Sequence, residues 1–530
     1  MRSEWFLQTG ERHADMAETA DVVETVKQGY AFDGAAIELG ALLVGDEPKP
    51  EAAVRIPLSM VNRHGLVAGA TGTGKTKTLQ LMAEQLSAAG VAVFAADIKG
   101  DLSGISQPGQ ESEKLLARTK TIGQEWTATG FPTEFYALGG QGTGIPIRAT
   151  ITSFGPVLLS KVLGLNDVQE SSLGLIFHYA DKQGLTLLDL KDLRSVITHL
   201  TSDEGKADLK ELGGLSAATA GVILRSLIGF ADQGAEAFFG ETEFDTADLM
   251  QQRDGKGLIS LLELPNLQDR PALFSTFLMW LLADLFHDLP EVGDVDKPKL
   301  VFFFDEAHLL FNDASKAFLD SIAQTVRLIR SKGVGVFFVT QTPKDVPDDV
   351  LAQLGSRVQH QLRAHTPNDA KALKATVSTF PSSSYDLAEV LTQLGIGEAI
   401  VTVMNEKGAP TPVAWTRLRA PLSLMAPATA EQLTASVQAS PNNAKYTEVI
   451  DRESAYELLA AKVQAGAEQA EAERQAEEQA KPAPEPKPRA QKQDKSMVEQ
   501  VIGSSAFKQF ARSAGREIVR GLFGSARRRR

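Results

Sequence analysis

The segment GATGTGKT, Gly69 to Thr76, fits G-x-x-x-x-G-K-[ST] at every fixed position. An apolar run, HGLVAGA (His64 to Ala70), precedes it, and an amphipathic stretch, TKTLQLMAEQLSAAG, follows, so strand, loop and helix come in the order a phosphate cradle requires. In that geometry the backbone N–H groups along Gly69, Ala70, Thr71, Gly72, Thr73, Gly74 and on to Lys77 turn toward phosphate oxygens, aided by the positive end of the helix dipole. Lys75 is expected to reach the β- and γ-phosphates, and Thr76 to set its hydroxyl on Mg²⁺. A second glycine cluster, GGQGTG (Gly139 to Gly144), lacks the Lys-Ser/Thr pair and reads as an ordinary loop.

The other half of such a site is an acidic pair at the end of a buried strand. KLVFFFDEAH (Lys299 to His308) supplies it: Asp305 is placed to hold the hydration shell of Mg²⁺, and Glu306 to orient and polarise an attacking water. Asp97, in FAADIKGDL, and Gln341, in FFVTQTP, also end strands. Ligands of open parallel sheets sit beyond the carboxyl ends of the strands, so both are candidate sensors of the γ-phosphate or the water. The chemistry predicted is hydrolysis of a nucleoside triphosphate with Mg²⁺. A small-molecule kinase fits less well, because an Asp-Glu pair followed by a polar Gln suits activation of water.

The elements that position these residues are α/β in pattern. Apolar runs at Val91 to Asp97, Gly257 to Leu264, Lys299 to Glu306 and Gly333 to Gln341, with a later pair near EAIVTVMN and PVAWTRL, suit strands covered on both faces. The reading is a mainly parallel core at 61–152 and 241–425, preceded by a short segment with strands at 1–60 and interrupted at 153–240 by an inserted helical subdomain. Residues 426–495, rich in Ala and Glu and then in Pro, are read as a solvated tether. The apolar stretch Leu273 to Phe286 is too short for a spanning helix and carries Asp284, so it reads as a buried helix.

Composition narrows the chemistry. The chain has 530 residues and no Cys, which removes disulfides, thiol nucleophiles and Cys-ligated metals and fits a reducing cytoplasm. Its eight His form no HExxH pattern. The N-terminus has no apolar core of signal-peptide type. Net charge is −13, yet Ser496 to Arg530 carries Lys508, Arg512, Arg516, Arg520 and Arg527 to Arg530 against Glu499 and Glu517. Those four internal cations recur at i, i+4, so 496–530 is expected to be a basic amphipathic helix for docking on protein, nucleic acid or an anionic membrane.

Taken together, GATGTGKT, ADIKGDL, FFFDEAH and RSKGVGVFFVTQTP resemble the HerA/FtsK branch of P-loop ATPases, and NRHGLVAGATGTGKTKTLQ with ADIKGDLSGI is most similar to its bacterial HerA-like, YjgR-type, members. The resemblance covers about Ala31 to Leu424. It implies a RecA-like core with an inserted helical region, and a homo-oligomer, in many relatives a hexameric ring around duplex DNA. It also implies an arginine supplied by a neighbouring subunit; Arg330 best matches by position, with Arg63 and Arg357 as further candidates. One departure is that only residues 1–63 precede the P-loop strand, where DNA-translocating relatives carry a sizeable β-barrel. The expected function is therefore an ATP hydrolase acting on DNA as helicase or translocase. Its rivals are an ATPase moving polypeptide or a secretion substrate, and a slow nucleotide-gated interaction module.

Overall fold

The computed structural model describes residues 21–211, 214–264, 271–293, 295–311 and 316–480. The strands are β1 (Ala36–Val44), β2 (Glu47–Pro57), β3 (Gly65–Ala68), β4 (Ala92–Asp97), β5 (Thr133–Leu138), β6 (Ile145–Ile147), β7 (Gln252–Arg253), β8 (Lys256–Gly257), β9 (Ile259–Glu263), β10 (Leu300–Phe304), β11 (Val334–Thr340), β12 (Ser356–Gln359), β13 (Glu398–Thr402) and β14 (Ala414–Leu418). A 12-stranded sheet runs β2-β1-β14-β13-β12-β3-β11-β10-β4-β9-β5-β6, and β7 and β8 form a separate two-stranded pair. From β12 to β6 every pairing is parallel. From β12 back to β2 every pairing is antiparallel. The mainly parallel α/β core expected from the apolar runs is present.

Those runs are unbroken because both faces of the sheet are covered. Along β10 the side chains alternate: Leu300, Phe302 and Phe304 join one core, while Val301 and Phe303 join the other. β11 does the same with Val336 and Phe338 against Phe337 and Val339. The first core includes Phe277, Trp280 and Leu281 of the helix Pro271–Asp288, so the apolar stretch is a buried helix as expected. Among the described residues no helix is long and apolar enough to cross a membrane. The second core takes Leu79, Met82, Ala83 and Leu86 from the helix Lys75–Ala88 behind the phosphate loop.

That helix also carries a polar anchor. Glu84 is buried and accepts from the backbone N–H of Leu422 (2.8 Å) and Ser423 (3.0 Å), while Gln80 donates to Ser423 Oγ (2.6 Å). Four residues apart, the two side chains share one helix face and tie it to the segment after β14.

Between β6 and β9 lie the helices Ile151–Val162, Asp167–Lys182, Leu190–Thr201, Lys206–Glu211 and Ala217–Asp232. Their starts are set by side-chain caps: Thr150 accepts from Ser153 N, and Asn166 and Asp189 form capping boxes. Gly155, at φ 73° and followed by Pro156, kinks the first of them.

The solvated tether expected from residue 426 onward needs correction. Sparse polar and aromatic side chains dock its first part on the body. Tyr446 is fully buried beside Phe244, Ser440 Oγ donates to Glu134 Oε2 (2.5 Å), and Asn442 Nδ2 donates to Tyr136 Oη (3.2 Å). The helix Ala455–Ala480 begins with buried Ala455 and Leu459 and is exposed from Ala460 to Ala476. The expected basic helix at 496–530 lies outside the described residues.

Candidate active site

β3 delivers the chain into the loop Gly69–Gly74. Gly72 (φ 83°) and Gly74 (φ 113°) occupy left-handed backbone conformations that side chains resist, which is why the loop needs glycine there. Thr73 Oγ1 donates to the Ala70 carbonyl (2.8 Å), and Lys75 Nζ folds back onto the same carbonyl (3.2 Å). Lys75 is buried, and this lowers its pKa despite the opposing charges of Glu306 and Asp305. Thr76 follows, half-buried, and Lys77 donates to Gln80 Oε1 (3.1 Å).

The parallel register aligns the other candidates with this loop. Thr340 pairs with Ala68, and Gly69 N donates to the Thr340 carbonyl (3.2 Å), so Gln341, exposed, stands level with the start of the phosphate loop. Phe338 pairs with Phe304, and Ala307 N donates to the Val339 carbonyl (2.9 Å), so Asp305 and Glu306 flank the same strand end. β11 thus separates the phosphate-loop strand from the strand bearing the acidic pair.

Asp305 is buried, and its pKa is pushed up to about 7, first by burial and then by the charge of Glu306. Its Oδ1 accepts from Glu306 N (2.9 Å), while Oδ2 is buried without a hydrogen-bond partner. A cation facing that orphaned oxygen would stabilise the ionised form, and Mg²⁺ takes one or two protein oxygens when phosphates supply the rest. The donor set therefore fits the ion. Glu306 sits at φ 48° and is also buried. Its Oε1 accepts from Lys99 Nζ, and His308 Nδ1 lies 3.2 Å from Oε2.

Asp97 is fully buried, and its carboxylate accepts from the backbone N–H groups of Gly100 (2.7 Å), Asp101 (3.2 Å) and Leu102 (2.8 Å). Burial nonetheless raises its pKa to about 6. Both oxygens are thus engaged in shaping the loop that carries Lys99. The arginines lie elsewhere. Arg63 and Arg330 precede β3 and β11, at the amino ends of these strands and so at the edge opposite the phosphate loop, with Arg330 exposed. Arg357, within β12, donates to the Thr379 carbonyl (3.1 Å), and burial lowers its pKa.

Three supporting contacts escape sequence reasoning. Buried His360, just after β12, lies 2.9 Å through Nε2 from Thr78 Oγ1, and a Cβ on Gly69 would come within 2.4 Å of its own Cβ. Gly397 N donates to the Thr73 carbonyl (3.2 Å), and Arg363 donates to the Thr71 carbonyl (3.3 Å). The partners are hundreds of residues apart, so no local motif announces them.

A parallel sheet with a phosphate loop on one strand and an acidic pair two strands away defines a P-loop ATPase. More specifically, the chain belongs to the family described as Helicase HerA-like C-terminal, whose model matches residues 43–530. It is similar to the DNA double-strand break repair helicase HerA of Saccharolobus solfataricus, 23% identical over 391 residues, covering 71% of this chain and 68% of that one. The protein of the same name from Sulfurisphaera tokodaii is 23% identical over 378 residues, covering 70% and 67%. Among solved structures, the bacterial conjugative coupling protein TrwBdeltaN70 in complex with sulphate superposes with a TM-score of 0.50 at 16% identity, over 76% of this chain and 95% of that one. That likeness is one of fold.

Proposed function

We propose that this chain is a Mg²⁺-dependent ATP hydrolase that acts on DNA as a helicase or translocase and works as a homo-oligomeric ring, with a hexamer as the expected form. The observation that carries the hydrolytic reading is the alignment of Lys75, Asp305, Glu306 and Gln341 at one sheet edge, with Asp305 Oδ2 buried and unpartnered. DNA as the substrate is supported by family membership and by the names of the HerA relatives.

Lys75, now on the Ala70 carbonyl, would exchange that oxygen for phosphate oxygens and neutralise their charge. Thr76 and Asp305 would hold Mg²⁺, which when bound offsets charge on the β- and γ-phosphates. Glu306 would take a proton from the attacking water, and Gln341 would orient that water without adding charge. Arg330, at the sheet edge opposite its own phosphate loop, would complete a neighbouring subunit's site, with Arg63 on the same edge as the second candidate.

The test is ATP turnover with and without duplex or single-stranded DNA at low salt, with Lys75→Ala as the blank. Stimulation by DNA that weakens as salt rises is expected, since phosphate contacts are salt-sensitive. Turnover indifferent to both DNAs at every salt concentration would remove DNA as the substrate while leaving the hydrolase reading standing.

A further inference from the structure

We propose that Lys99 is a latch on Glu306: in the nucleotide-free protein it holds the carboxylate away from water, and the γ-phosphate of ATP draws the ammonium off. The proposal rests on the hydrolase reading above.

The first support is the state of the two Glu306 oxygens. Oε1 is occupied by Lys99 Nζ. Oε2 is buried and lacks a hydrogen-bond partner, with His308 Nδ1 3.2 Å away in a geometry that makes no hydrogen bond. Neither oxygen is open to a water molecule, so a general base in this arrangement has nothing to accept from. The side chain is only 6% exposed, whereas that of Lys99 is 43% exposed. The acid is therefore enclosed and its partner is free to swing.

The second support is how Lys99 is aimed. The three amides of Gly100, Asp101 and Leu102 converge on Asp97, and Gly100 turns the chain at φ 73°. This fixes the backbone beside Lys99 and leaves motion to its four-carbon side chain. The main chain of Glu306 is held as well: its N–H donates to Asp305 Oδ1 (2.9 Å), and its carbonyl accepts from Leu309 N (2.8 Å) at a left-handed φ of 48°. A rigid loop and a rigid strand end joined by one mobile side chain make a two-position device.

The third support is the direction of release. Lys75 follows β3 and Lys99 follows β4, both at the carboxyl edge of the parallel strands, where Lys99 already reaches Glu306 at the end of β10. A phosphoryl group cradled by Lys75 brings a multiply charged acceptor to that edge, where it competes with the single carboxylate of Glu306 for the same ammonium. Lys99 thus couples occupancy of the phosphate loop to exposure of the base. Sequence alone offers Lys99 only as the residue between Ile98 and Gly100 in ADIKGDL.

The experiment is binding of a non-hydrolysable ATP analogue and of ADP to the full chain for wild type, Lys99→Met, Glu306→Gln and the double variant, with thermal melts as a check of folding and ATP turnover measured alongside. Glu306→Gln, which removes the carboxylate that competes for the ammonium, is expected to tighten the ATP analogue by about threefold or more relative to ADP, and in the Lys99→Met background to leave that ratio nearly unchanged. An analogue-to-ADP ratio that responds to Glu306→Gln equally with and without Lys99 overturns the latch. Turnover that survives Glu306→Gln instead overturns the hydrolase reading, so the two failures are told apart.

Discussion

His360 and Thr78 meet through Nε2 and Oγ1 at 2.9 Å, joining the end of β12 to the start of the helix behind the phosphate loop. The imidazole is fully buried, and burial and the charge of Lys75 lower its pKa to about 4, so it stays neutral while backing Gly69. His360→Ala should cost about 2–4 kcal/mol, from a cavity and a lost hydrogen bond. It should also weaken binding of a non-hydrolysable ATP analogue. Denaturant unfolding and ligand titration check the two effects; unchanged affinity would show that the loop does not depend on this support.

Asp97 organises the loop after β4 rather than pointing into open space. Asp97→Ala leaves three backbone N–H groups without their acceptor and is expected to destabilise the chain by about 2–4 kcal/mol. Hydrogen exchange at Gly100 and Leu102 should accelerate well beyond what global destabilisation explains. Protection that persists at these amides would count against the carboxylate as organiser of the loop.

Glu263 is paired in register with Asp97 on neighbouring strands, and burial, followed by the charges of Asp97 and Asp101, raises its pKa from 4.5 to about 8. Between those values the folded chain holds a proton that the unfolded chain has lost, so stability falls as pH rises through this window and levels off above it. Glu263→Gln mimics the protonated acid. It should match wild type near pH 5 and exceed it near pH 8, the gap opening by up to about 1.4 kcal/mol per pH unit. Denaturant midpoints across this range test the sign; a constant gap contradicts it.

Arg330 lies before β11, at the sheet edge opposite its own phosphate loop, and is exposed. Arg330→Ala should lower turnover by about 10³-fold or more with ATP-analogue binding retained. Mixing it with Lys75→Ala subunits should restore part of the activity, because a site with intact Lys75 then borrows Arg330 from its neighbour. Absence of rescue in a mixed oligomer argues that Arg330 does not act in trans.

How much was legible depended on how local each feature is. GATGTGKT is read from eight consecutive residues because the loop's conformation is set by its own glycines and lysine. β3, β4, β9, β10 and β11 announce themselves as apolar runs, since burial on both faces demands them. β12 escapes that rule: SRVQ has a single apolar residue, and only pairing with β3 and β13 makes it a strand. Lys99 and His360 escape a local reading for a related reason. Each matters through a partner more than 200 positions away, Glu306 for one and Thr78 for the other. The docked segment around Tyr446 reads as a tether because its average composition is polar, while a few buried side chains decide its position.

The most direct test of the central claim is steady-state phosphate release from Mg²⁺-ATP by wild type and Glu306→Gln. Loss of the base should lower kcat by about 10²- to 10⁴-fold while leaving ATP-analogue binding intact. Wild-type turnover in the folded Glu306→Gln protein would contradict the assignment of this strand end as the hydrolytic centre.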